Sequence, residues 1–261
     1  GADYVLMEST YGDSLHGDER SIQESLAAVI NVAAKAGGNV VIPSFAIERA
    51  QEVLYRLNRL LYENRIPRLL VFLDSPMAAR VTDVFGRWPG YFDADMVELI
   101  GQGRSPFDLP GLVIARSADE SKTINSVKGT AIIIAGAGMC TGGRIKHHLV
   151  RNITRPESTI LFVGYQAAGT LGRQIVDGAA RVRIFGEVLP VKARVEKISG
   201  FSAHADKAEL LRWAGAQSAP PRRAFVVHGE ADVAARFATH LREARGWETA
   251  VPGPGDRVDL A

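Results

Sequence analysis

Two histidines occupy positions from which a side chain can reach a reacting atom. His204 lies in the run Gly200-Phe201-Ser202-Ala203-His204-Ala205-Asp206, between a strand-like stretch (191–198) and an amphipathic helix with Leu210, Leu211 and Trp213 on one side. Ser202 or Asp206 is positioned to cap that helix. His228 follows the strand 223–227 and opens Gly229-Glu230 before another helix. A carboxylate, Glu8, ends the first strand and is followed by Ser9-Thr10-Tyr11-Gly12-Asp13. Strand exits of this kind carry ligands in open α/β sheets, and they also hold ordinary turns. A loop histidine serves as a cap, as a packed side chain, or as an acid, base or metal ligand. Two in equivalent places put the functional and packing readings on level terms.

The elements that position these groups alternate regularly. After the strand 4–7 comes a helix over 21–35, with Ile22, Leu26, Val29, Ile30 and Ala33 on one face and Gly37-Gly38 at its end. A buried strand, 39–42, exits through Pro43-Ser44-Phe45-Ala46 into a helix over 47–64. Arg49 in the first turn of that helix either favours an anion at the helix N-terminus or pairs with Glu48 or Glu52. The strand 69–73 exits through Asp74-Ser75-Pro76-Met77-Ala78, and 87–110 reads as short helices and loop. Strands at 112–115 and 131–135 follow, the latter running into a Gly-rich loop that ends Gly142-Gly143-Arg144. Its backbone N–H groups can approach phosphate, although the loop matches neither the P-loop nor the dinucleotide fingerprint. His147 and His148 fall on the next helix, about 100° apart around its axis, so they form no chelate and a surface role is expected. The strand 159–163 exits through a loop containing Gln166, Thr170 and Arg173. This alternation predicts a mainly parallel, Rossmann-like sheet with ligands at its C-terminal edge. Near Ala180 the pattern changes: 182–185 and 189–198 read as paired strands around Gly186-Glu187.

Composition bounds the reading. The chain has 261 residues, 46% of them hydrophobic and 23% charged, as in an ordinary globular protein of one large or two modest domains. A net charge of +2 neither demands nor excludes nucleic acid. The single cysteine, Cys140, rules out an internal disulfide and a cysteine-built zinc site, and suits a reducing, cytoplasmic setting. No apolar run is long enough for a membrane span. The chain opens Gly1-Ala2-Asp3 directly into a strand, which leads to the expectation of a fragment.

Seven motifs, in order, resemble the β-CASP branch of the metallo-β-lactamase superfamily, nucleases that process RNA and DNA. They are Glu8-Ser9-Thr10-Tyr11-Gly12, Pro43-Ser44-Phe45-Ala46, Asp74-Ser75-Pro76-Met77-Ala78, Gly138-Met139-Cys140 with Gly142-Gly143-Arg144, Gly164-Tyr165-Gln166 with Gly169-Thr170-Leu171-Gly172-Arg173, Phe201-Ser202-Ala203-His204-Ala205-Asp206, and Val227-His228-Gly229-Glu230. The resemblance is strongest to bacterial and archaeal ribonucleases related to the mRNA 3′-end cleavage factor. It implies a Rossmann-like β-CASP cap over 14–179, inserted into a metallo-β-lactamase αββα domain of which 1–13 and 180–261 are parts. It also implies that His228 is a zinc ligand, that His204 is the general acid or stabilises the scissile phosphate, and that Glu8 orients His204. A carboxylate beside an imidazole favours the protonated form, and such a ring can donate to an expelled alkoxide. In the complete enzyme two zinc ions would activate water and neutralise the phosphate. Ser44, Arg49, Ser75, Gly142, Gly143, Arg144, Gln166, Thr170 and Arg173 would hold single-stranded RNA.

The superfamily's main zinc motif, H-x-H-x-D-H, is absent from this sequence. One imidazole cannot hold a catalytic zinc, which takes about three protein ligands and a water. The chain alone is therefore expected to be inactive, with a further N-terminal half or a second copy completing it. Two other readings stay open: a non-catalytic RNA-binding scaffold, and a hydrolase of another substrate. Glu8, His204 and His228 together favour a nuclease over the scaffold, and the cap disfavours the other hydrolase.

Overall fold

The computed structural model describes residues 1–260, with Glu19 described by its backbone alone. In chain order the elements are β1 (Tyr4–Glu8), α1 (Glu19–Ala36), β2 (Val40–Pro43), α2 (Arg49–Tyr62), β3 (Leu70–Asp74), α3 (Pro76–Arg87), α4 (Ala94–Gly101), β4 (Leu112–Ile114), α5 (Ala118–Thr123), β5 (Ala131–Ala135), α6 (Ile145–Asn152), β6 (Thr159–Phe162), α7 (Leu171–Val176), β7 (Arg181–Ile184), β8 (Glu187–Pro190), β9 (Arg194–Lys197), α8 (Lys207–Gly215), β10 (Arg223–Val227), α9 (Ala231–Arg245) and β11 (Thr249–Ala250). The fold is α/β with parallel sheets, as the alternation predicts. Two compact units divide the chain: 1–17 with 203–261, and 18–202. No helix among the described residues is long and apolar enough to cross a membrane.

The larger unit is built on a six-stranded sheet in the order β4-β3-β5-β2-β6-β9, parallel throughout. Its central strands are apolar on both faces because helices cover both: Val40, Ile42, Leu73, Ile132 and Ile134 face one core, and Val41, Ile133, Ile160 and Phe162 the other. Several helices start where a short polar side chain takes an orphan N–H: Asp18 caps α1, Ser75 caps α3 with Pro76 following, and Thr170 caps α7, whereas α2 and α6 have no side-chain cap. Gly37 closes α1 in the left-handed conformation.

The change of pattern near Ala180 is not the end of this unit. Only β7 and β8 form the antiparallel hairpin; the expected long strand over 189–198 breaks after Pro190. Its second part, β9, joins the cap sheet as a parallel neighbour of β6, from Thr159 opposite Arg194 to Phe162 opposite Lys197. Ile198 and Phe201 then pack into the same core, so the unit runs to Ser202 rather than to 179. His148 also departs from expectation: it is 1% exposed, beside Asp74, not on the surface.

The smaller unit has a three-stranded parallel sheet, β1-β10-β11, with β1 on an edge. Val5, Met7, Ala224 and Val226 pack with Leu210, Phe237 and Leu241 of α8 and α9. The other side of β1 is open, with Leu6 69% exposed.

Candidate active site

Register brings the site together. β1 and β10 pair in parallel from Tyr4 opposite Arg223 to Glu8 opposite Val227, so both chains leave the sheet at the same edge. Glu8 therefore ends beside His228. The two exits pack so closely that a Cβ at Gly229 would lie 2.4 Å from Ser9 Oγ and 2.8 Å from the Ser9 carbonyl oxygen. Ser9 Oγ donates to the Val227 carbonyl at 3.0 Å, across that contact. His228 itself has φ +52°, an uncommon conformation for a residue with a side chain.

The loop carrying His204 is fixed from the other side. A bridge pairs Tyr11 with Asp206. Asp206, not Ser202, caps α8 by accepting from the Glu209 N–H at 2.9 Å, with Glu209 returning the bond in a capping box. The other Asp206 oxygen accepts from the His16 N–H at 3.0 Å. Burial pushes the Asp206 carboxyl up, but the backbone donors of Glu209 and His16 outweigh it and hold it below the ordinary range. His16 Nε2–H donates to the His204 carbonyl at 2.9 Å while its ring stands edge-on to Tyr11, 4.7 Å between centroids. His16 thus clamps the His204 backbone.

Glu8, His204 and His228 meet as a cluster. His204 Nδ1 lies 3.2 Å from Glu8 Oε1, with the imidazole 40% and the carboxylate 25% exposed. The other carboxylate oxygen accepts from the Thr10 N–H at 2.7 Å. The two imidazoles lie 5.2 Å apart, inclined by 31°. Each of the three residues offers one metal-ligating atom, all within 4.8 Å of one another. Imidazole nitrogen is a ligand that zinc takes, so the chemistry of this edge is compatible with a metal held by His228 and further ligands. His16 and Thr10 were given no role from sequence. Thr10 falls within the first motif, whereas nothing local marks His16, whose hydrogen-bond partners His204 and Asp206 lie 188 and 190 residues on.

The cap residues expected to hold phosphate converge at their own sheet's C-terminal edge, but most are already engaged. Ser44 Oγ donates to the Phe45 carbonyl at 3.0 Å, and the Ser75 and Thr170 hydroxyls cap helices. A Cβ at Gly136 would lie 3.6 Å from Ser75 Oγ and 3.7 Å from the Ser44 carbonyl oxygen, so these three exits are neighbours. Arg49 is buried, pairs with Glu52, and lies 5.8 Å over the Phe201 ring, so the ion-pair alternative is realised. Arg144 donates to Asp74 at 2.7 Å and to the Ala115 carbonyl at 2.9 Å. Gln166 is buried and donates to the carbonyls of Gly138, Gly164 and Tyr165. Gly143, at φ +73°, sits so close to the Gly136 carbonyl that no side chain fits; Gly142 has open space around it. Arg173 pairs with the exposed Asp177 at 2.9 Å.

The Beta-Casp domain matches residues 50–175, and the RNA specificity domain of Zn-dependent metallo-hydrolases matches 188–252. The chain belongs to the β-CASP branch of the metallo-β-lactamase superfamily. A relative in this branch, ribonuclease TTHA0252 of Thermus thermophilus, is 42% identical over 88% of this chain and 52% of its own length. Transcription termination factor FttA of Thermococcus kodakarensis is 33% identical over 98% of this chain and 40% of its own length. An RNase J-like protein of Methanocaldococcus jannaschii is 31% identical over 97% of this chain and 58% of its own length. The chain thus spans about half the length of these β-CASP relatives, and the matched C-terminal domain is one of zinc-dependent enzymes.

Proposed function

We propose that this chain supplies the cap and the C-terminal catalytic edge of a zinc-dependent ribonuclease that hydrolyses phosphodiester bonds of single-stranded RNA in the cytoplasm. The observation that carries the proposal is the Glu8–His204–His228 cluster. His228 would be a zinc ligand, with the remaining ligands of two zinc ions coming from an N-terminal half that bears H-x-H-x-D-H. Bound zinc would supply an activated water and neutralise phosphate charge. His204 hands a proton to the leaving oxygen from Nε2, because Nδ1 faces Glu8. Glu8 holds the ring in place, and His16 steadies the loop backbone.

At the cap, Ser44, Ser75, Gly142, Gly143, Gln166 and Thr170 shape the sheet edge against which the RNA backbone lies. Of these three arginines Arg173 is the most exposed to phosphate, while Arg49 and Arg144 act by fixing the loops around the edge. On this reading the chain alone is inactive, with a second copy or the N-terminal half covering β1.

The test is zinc content by elemental analysis, run beside cleavage of a labelled single-stranded RNA. Little zinc and no cleavage from this chain, with both restored on adding an N-terminal half bearing H-x-H-x-D-H, is the expected result. RNA binding without cleavage in the complemented protein would instead favour a non-catalytic scaffold.

A further inference from the structure

Thr10 makes three contacts that bear on where the protons of the two histidines reside. Its hydroxyl donates to the His228 carbonyl at 3.0 Å. A carbonyl only accepts, so this contact is a hydrogen bond when the hydroxyl proton points to it. The same oxygen lies 3.2 Å from His228 Nδ1 and 3.4 Å from His204 Nδ1. With its proton directed elsewhere, it presents lone pairs to both nitrogens. A bare Nδ1 would set lone pair against lone pair, so each nitrogen must bring its own hydrogen. His204 Nδ1–H has Glu8 Oε1 as a second acceptor at 3.2 Å. For His228 Nδ1, among the described residues, the acceptor is Thr10 Oγ1.

Thr10 is well placed for this. It is 7% exposed, and its own N–H donates to Glu8 Oε2 at 2.7 Å, so its backbone is fixed by the carboxylate of the same site. The neutral imidazole has two forms, and the hydrogen bond made by one nitrogen decides which is present.

We propose that Thr10 is a positioning residue: it holds His228 as the Nδ1–H tautomer and so leaves Nε2 as its metal-binding nitrogen. The metal-binding half of this statement rests on the ribonuclease reading, and the tautomer half does not. The shared hydroxyl also ties the two rings to one oxygen, so their Nε2 atoms are set by the same group. Bonds of this outer kind, made by the non-ligating nitrogen, change metal affinity by about 10–100-fold.

The experiment compares the wild-type chain with Thr10→Val, which keeps the shape and loses the hydroxyl, and Thr10→Ser, which keeps the hydroxyl. Long-range proton–nitrogen spectra of the metal-free chain at about pH 8, where imidazoles are neutral, report which ring nitrogen carries hydrogen. A His228→Gln variant assigns the signals. Zinc affinity is then read by chelator competition, alone and with the N-terminal half. The expected result is Nδ1–H at His228 in wild type and Thr10→Ser, a mixture of tautomers in Thr10→Val, and a 10–100-fold loss of zinc affinity in Thr10→Val only. Nε2–H at His228 in the wild-type chain overturns the proposal even if Thr10→Val does not fold. So does an unchanged tautomer and affinity in a folded Thr10→Val. Should the tautomers behave as expected while no form binds zinc, the ribonuclease reading fails and the Thr10 hydroxyl still stands as the group that sets the His228 tautomer.

Discussion

Asp74 is where the cap is most sensitive to a single atom. It is fully buried at the end of β3 and accepts from Ser121 Oγ at 2.6 Å, Arg144 Nη1 at 2.7 Å and His148 Nε2 at 2.6 Å. Asp74→Asn keeps the shape but turns an NH2 group toward at least one of these donors. A hydrogen bond to a charged group contributes about 1.5–3 kcal/mol, so three give an upper bound of about 5–9 kcal/mol. Arg144, 21% exposed, regains water when released, and the remaining loss is about 3–5 kcal/mol, the usual cost of removing one partner from a buried ion pair. The pH dependence follows with a definite sign. Burial alone would push the carboxyl up, but the His148, Ser121 and Arg144 donors outweigh it and hold it below the ordinary carboxylate range. A depressed carboxyl stabilises fully above the unfolded value of about 3.9, and the contribution is lost as pH falls through the folded one. Urea titration read by hydrogen exchange of β3 and β5 amides isolates this unit, since two units need not unfold together. The expected result is a cap destabilised by about 3–5 kcal/mol at neutral pH that no longer loses this share of stability in acid. A loss under about 1 kcal/mol, or an acid slope equal to wild type, would refute the assignment of the network to stability.

Two further perturbations separate the site from its supports. Gly229→Ala places a methyl 2.4 Å from Ser9 Oγ and 2.8 Å from the Ser9 carbonyl oxygen, so the smaller unit should lose about 1–3 kcal/mol. Thermal unfolding followed through the buried Trp247 reads this, and an unshifted Tm would mean that the β1 and β10 exits are looser than described. In the cap, Arg144→Ala should destabilise, while Arg173→Ala should stay within about 1 kcal/mol because its pair with Asp177 is exposed. Anisotropy of a labelled single-stranded RNA across salt should show the Arg173→Ala salt slope reduced by about one, and an unchanged slope removes Arg173 from the RNA path.

What could be read from the sequence, and what could not, divides along physical lines. The alternation of β2 to β6 with their helices is local: apolar runs, caps and glycines announce it residue by residue. The place of β9 is not local. Four residues, Arg194–Lys197, carry no mark of which strand they join, and their partner β6 lies more than thirty residues back. The stretch from Leu189 therefore read as one arm of a hairpin. His148 is different, because its signal was present. Ile145, His148, Leu149 and Asn152 form one buried stripe at helical spacing, and a polar residue on such a stripe needs a partner. That partner, Asp74, is seventy-four residues back in a strand exit, where its sequence neighbours mark only a turn.

Strand exits also explain why the two halves of the expected site fared differently. A short polar residue after a strand caps the next helix as readily as it meets a ligand, so Ser75 and Thr170 carry no functional signal that a cap would lack. Arg144, likewise, is placed by Asp74 before any phosphate arrives. Glu8 and His228 escape this ambiguity. Parallel strands end at one edge, and with Glu8 opposite Val227 the residue that follows β10, His228, stands beside the carboxylate. A register slip of one residue would turn Glu8 to the opposite face and part it from both imidazoles. The apolar side chains Val5, Met7, Ala224 and Val226, all facing α8 and α9, forbid that slip. The core of the smaller unit thus sets the spacing of Glu8 and His228, and the same register fixes Thr10 between them.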